Sequence, residues 1–185
     1  MSVRRAAVTA LAALLATSCA GQAAAPAVGV PSATSTAVAL PQDEIGQTHR
    51  AALALIALGE LGREKGSTQA LRSLASRTAG DGRSLDGQIR ELATGDGLVL
   101  GDDVDASAQD VLTDLGERSG GDFDRQWLQA TGTLVGQGRE AADGIRSAPG
   151  APREAVSVAG NVQARLAALA NALGHAIARG TGPTR

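Results

Sequence analysis

The stretch Pro152-Arg-Glu-Ala155-Val-Ser-Val-Ala159-Gly-Asn-Val162-Gln-Ala-Arg-Leu166-Ala-Ala-Leu169-Ala-Asn-Ala-Leu173-Gly-His-Ala176 decides the fold class. Its apolar residues Ala155, Ala159, Val162, Leu166, Leu169, Leu173 and Ala176 recur at alternating steps of four and three, the period of one helix face. Pro152 stands where a first-turn proline belongs, because the N–H it lacks would find no partner there, and Gly180 follows the last periodic residue as a stop. A helix this long with one apolar stripe must bury that stripe against other helices.

Working back along the chain, Phe123, Trp127, Ala130, Leu134, Gly138, Ala141 and Ile145 form a second stripe, which predicts a helix over 122–147. Leu71, Leu74, Thr78, Leu85, Ile89 and Leu92 form a third over 68–94, with Ser67 as its expected N-cap and Gly66 closing the helix before it. Ala51 to Leu58 is apolar at every position. Its Ala and Leu content, with Ile56 alone β-branched, predicts a helix over 43–64 buried on more than one side. A short helix over 107–118 opens with Ser107-x-x-Asp110, close to a capping box. The fold expected is therefore all-α: an antiparallel four-helix bundle with one short connector helix. Gly80, Gly82 and Gly87 fall inside one predicted helix and Gly132, Gly136 and Gly138 inside another, so these helices either bend or pack backbone to backbone.

That domain spans 42–179 of the 185 residues, and the ends read differently. Arg4-Arg5, the apolar run Ala6 to Ala16 and the small residues before Cys19 make 1–18 a secretory signal peptide, too short to span a bilayer. The end of that run, Leu14-Leu-Ala-Thr-Ser-Cys19, resembles a bacterial lipobox, with Ala16 where the pattern prefers Leu. Cys19 is the only cysteine, so it cannot form an internal disulfide, and lipidation would remove a free thiol from an exported chain. Residues 19–41, rich in Ala, Pro, Ser and Thr and without charge, read as a disordered tether, and 180–185 as a disordered tail. The expected location is the cell envelope, by a lipid anchor on the outer face of the cytoplasmic membrane.

Composition excludes some function classes. Phe123 and Trp127 are the only aromatics, too few for base stacking, and a net charge of -2 offers no field for a polyanion, so no nucleic-acid partner is expected. All the basic residues but Lys65 are arginine, which with the Ala and Gly excess points to coding bias rather than to a phosphate-binding surface. No Ser, Thr or Cys has a convergent His partner, so no catalytic residue is assigned. His49 and His175, at opposite ends of the domain sequence, read as solvated surface residues and supply no metal site without a third ligand. The acidic run Asp96, Asp102, Asp103, Asp105 and Asp110 lacks the spacing of a calcium loop and reads as a solvated linker with N-caps.

The run from Leu74 to Ala93, Gly97-Leu-Val-Leu100 and Phe123-Asp124-x-x-Trp127 together resemble a bacterial family of domains of unknown function, number 4142. The resemblance covers about 45–173. It implies a ferritin-like helical bundle, with members described as outer-membrane or secreted proteins, and it makes Phe123, Asp124 and Trp127 the family signature. This chain departs from the family where metal ligands would stand: Asp81-Gly82 replaces Asp-His, Val135 and Arg165 replace histidines, and Leu55 falls near a usual glutamate. No metal and no cofactor are therefore expected, and Asp81 is expected to form a buried pair with Arg165.

The function expected on these grounds is that of a lipid-anchored, non-enzymatic interaction or structural module facing an envelope protein or cell-wall partner. A small-ligand carrier using a cavity in the bundle is the alternative, and a metal-dependent ferritin-like redox or storage protein follows only from fold analogy.

Overall fold

The computed structural model describes residues 40–180, which form five helices: α1 (Gln42–Lys65), α2 (Gln69–Gly95), α3 (Ala106–Glu117), α4 (Gly120–Ser147) and α5 (Arg153–Gly180). No strand occurs among the described residues. The signal peptide, Cys19 and the tether to residue 39 lie outside them, as does the tail after residue 180.

Two helix starts differ from the expectation. Thr68, not Ser67, caps α2, its hydroxyl accepting the Leu71 N–H at 3.1 Å. Asp105 caps α3 by accepting the Ala108 N–H at 2.9 Å, so the box proposed from Ser107 does not form. A carboxylate one position before the helix wins because it meets the free N–H groups with full charge. At the other end of α2, Gly97 takes a φ of 71°, which lets the Leu98 N–H return to the Ala93 carbonyl at 2.8 Å and close the helix.

Every neighbouring pair of long helices is antiparallel. Along α1 and α2, Gly59 meets Ala75 and Ala79, while Gly82 meets Ala52 and Ile56. Gly62 meets Trp127 near one end of α1 and Glu44 meets Gly144 near the other, which sets α4 against α1. Gly138 against Leu166 and Asp81 against Arg165 place α5 beside both α4 and α2. The order around the bundle is α1, α2, α5, α4, and α3 is the crossover that carries the chain back along α1 so that α4 starts where α2 started.

The core follows the stripes. Ala155, Ala159, Val162, Leu166, Leu169 and Leu173 are all buried with Leu55, Leu58, Leu85, Ile89, Phe123, Trp127 and Ile145. On α4 Phe123, Trp127, Gly138, Ala141 and Ile145 of the predicted stripe are buried, but at its middle Thr131 and Val135 are buried whereas Ala130 and Leu134 lie at the edge. The glycines divide in the same way. A Cβ on Gly59 would stand 2.5 Å from the Ala79 backbone nitrogen and one on Gly82 3.0 Å from the Ala52 carbonyl, so α1 and α2 pack backbone to backbone. Gly80, Gly87, Gly132 and Gly136 have nothing within 4 Å of that position and face outward.

Candidate functional site

Apart from Thr131, whose buried hydroxyl has no hydrogen-bond partner among the described residues, the polar side chains drawn into this bundle are held by partners, beginning with the signature after the crossover. Trp127 is fully buried, and its indole N–H donates to the Leu58 carbonyl at 2.7 Å, tying α4 to α1. Asp124, one turn earlier, accepts the Ser67 N–H at 3.0 Å on one oxygen and the Ser67 hydroxyl on the other. Phe123 is buried below Lys65, whose ammonium lies 5.7 Å from the ring centroid and donates to the Gly116 carbonyl. The three residues thus clamp the α1–α2 turn and the end of α3 to the start of α4. The adjacent Arg118 bonds to Asp114 and Asp122, holding both carboxyls below the usual aspartate range.

Asp81 and Arg165 do meet, with Nη1 to Oδ1 at 3.3 Å, but the pair is not buried as expected. The Arg165 side chain is 44% exposed, because Leu166 takes the inward position on α5 and turns its neighbour to the rim. Arg77, one turn before Asp81, approaches its other oxygen at 3.6 Å, too far for a hydrogen bond. Asp81 therefore sits between two solvent-facing guanidinium groups on the α2–α5 flank.

The expectation of a solvated His49 is overturned. The ring is 3% exposed, with Nε2 donating to the Gly101 carbonyl at 2.7 Å and Nδ1 2.8 Å from Asp86 Oδ1. The second contact is one of proximity, since neither atom completes a directional hydrogen bond. Arg90 extends the cluster, bonding Asp86 at 3.0 Å, Gly101 at 3.2 Å and Asp102 at 2.7 Å, so α1 and α2 together grip the loop after Gly97. The signal was present in the sequence: Ile45, His49, Ala52 and Leu55 keep the helical period, which puts His49 on the core stripe. His175 is exposed at the other end of the bundle, so the two histidines do not approach each other.

The acidic run resolves into separate duties. Asp96 closes α2, Asp102 pairs with Arg90, and Asp105 caps α3, its carboxyl held below the usual range chiefly by the Ala108 N–H and then by the Ser107 hydroxyl. Among the described residues, no three His, Cys, Asp or Glu side chains are placed to hold a metal ion. The positions where the resembled family would supply ligands do not fit one: Leu55 and Val135 are buried and apolar, Gly82 packs against α1, and Arg165 is a cation at the rim.

Of the open volumes, one of about 530 Å³ lies between α1, α3 and α4. Its floor is Ala51, Ala54, Leu58, Ala130 and Leu134, the last two being the residues of α4 that lie at the core edge. Gln47, Arg50, Gln137 and Glu140 rim it, and α3 forms one wall with Ala108 and Leu112. No helix of the described residues is long and apolar enough to cross a membrane.

No curated protein and no solved structure matches the chain. The model of one family, described as "Domain of unknown function (DUF4142)", matches residues 29–178, which takes in all of the bundle but its last two residues. On that match the chain belongs to the DUF4142 family.

Proposed function

We propose that this DUF4142 member is a lipid-anchored cell-envelope protein whose bundle acts without catalysis, as an interaction or structural module. The observation that carries the reading is how the polar groups inside the domain are used. His49 is spent on Asp86 and Gly101, Asp124 on Ser67, and Asp81 between two arginines, while the family's ligand positions hold Leu55, Gly82 and Val135. What remains for function is the outer surface. The sequence Thr17-Ser18-Cys19 supports the anchor, and the uncharged residues 20–41 would link it to the bundle. Fractionation of cells carrying Cys19→Ser tests it: the variant is expected in the medium or as unprocessed precursor, and normal processing with unchanged membrane retention would defeat the anchor.

The cleft between α1, α3 and α4 favours a second reading, a carrier for a small and largely apolar molecule. Its volume falls within the range of ligand sites, about 300–1,000 Å³, and its apolar floor with a polar rim suits such a ligand. Native mass spectrometry of protein purified without denaturation separates the two: a bound small molecule supports the carrier, and bare protein under several extraction conditions supports the module.

A further inference from the structure

A second cleft, of about 670 Å³, opens between α2, α4 and α5 at the end of the bundle remote from His49. Its apolar lining is Leu71 and Leu74 from α2, Leu128 from α4, and Ala172 and Ala176 from α5. The trough exists because α2 and α4 face each other across the bundle diagonal, and the alanines of α5 are too small to fill the gap between them.

The charges around this trough are unequal in their freedom. His175 and Arg179 stand four residues apart on one face of α5, both at the cleft, and neither forms a hydrogen bond or ion pair among the described residues. Arg125 faces them from α4 with its side chain 70% exposed, held only by Asp122 at 2.9 Å. The one acid in the lining, Asp124, has both oxygens engaged by Ser67. An apolar channel thus ends at Arg179, a cation with no anion partner among the described residues, with His175 beside it.

We infer that this cleft binds a single-chain amphiphile with a monoanionic carboxylate head, a fatty-acid-like molecule. The chain would lie on Leu71, Leu74 and Leu128, and the carboxylate would take the planar donor fork of Arg179, with His175 beside it. A doubly charged phosphate would bring a second negative charge toward Asp124, and a cationic head would meet Arg179 and Arg125. This site does not depend on the lipid anchor or on the α1–α3–α4 cleft.

The test titrates the full chain carrying Cys19→Ser with laurate below its micellar concentration, and separately with dodecyltrimethylammonium, by isothermal calorimetry. Saturable 1:1 laurate binding is expected, with the ammonium at least about tenfold weaker. The double variant His175→Ala, Arg179→Ala, whose substituted side chains face solvent and leave the core intact, is expected to weaken laurate about tenfold, the loss of a charge-assisted bond. Arg50→Ala, in the other cleft, is expected to change nothing. No saturable binding, equal binding of the two head groups, an unchanged double variant, or a loss on Arg50→Ala in its place would each overturn the proposal. Circular dichroism of every variant verifies that the helices remain.

Discussion

Gly62 lies under the Trp127 indole with no room for a side chain between them: a Cβ there would stand 2.6 Å from Nε1 and 2.8 Å from the Ala75 side chain. The largest side chain of the core is seated against bare backbone, and its N–H reaches the Leu58 carbonyl one turn earlier on α1. Three helices, α1, α2 and α4, are brought together at that point by the absence of one methyl group.

Gly62→Ala and Gly59→Ala are therefore expected to destabilise the domain by about 1–3 kcal/mol each, since overpacking must shift backbone or a pinned ring. Gly132→Ala and Gly136→Ala, on the open face of α4, are expected to stabilise it by up to about 1 kcal/mol each through helix propensity. Urea unfolding of the four variants checks the contrast. Equal effects in the two pairs would mean that the α1 backbone does not approach its neighbours so closely.

The Asp81–Arg165 pair is expected to contribute little. With Arg165 44% exposed and Arg77 still near the carboxylate, Arg165→Ala is expected to cost less than about 1 kcal/mol in thermal or urea unfolding. A loss of several kcal/mol would show that the pair is shielded from water.

His49→Ala removes a buried ring and both of its contacts, so a loss of about 2–4 kcal/mol is expected, together with faster amide hydrogen exchange in residues 97–105. His175→Ala is expected to leave both quantities unchanged, because its ring is exposed and has no partner among the described residues. Exchange in that loop equal to the parent protein's in His49→Ala would show that Gly101 is held without the imidazole.

The cap of α3 carries a pH dependence of definite sign. Deprotonated Asp105 accepts from the Ala108 N–H at 2.9 Å and from the Ser107 hydroxyl at 2.7 Å, and these bonds lower its carboxyl below the unfolded aspartate value of about 3.9. The stabilisation is thus fully present above that value and is lost as pH falls through the lower, folded one. Protection of α3 amides should drop in acid, below about pH 4, more than that of α5 amides. Asp105→Asn should keep the cap and abolish this acid loss, whereas Asp105→Ala should cost about 1 kcal/mol at neutral pH. Equal acid sensitivity of α3 in Asp105→Asn would assign the effect to another carboxyl.

The sequence by itself determined the helices, because helical period is a local property: a residue's face follows from its spacing to residues three and four away. Ala155 to Leu173 and the long helices of the bundle were legible on that basis, as were the order of elements and the family to which the chain belongs. Even the place of His49 on a buried stripe was written in its spacing, though its type argued for solvent. Only the tertiary structure decided that the middle of α4 buries Thr131 and Val135 rather than Ala130 and Leu134, that Gly59, Gly62 and Gly82 touch neighbours while Gly80 and Gly132 touch nothing, and that Arg165 reaches Asp81 from the solvent-exposed rim. Those outcomes depend on residues 13 to 84 positions apart along the chain, and no local period specifies which of the available partners a side chain meets.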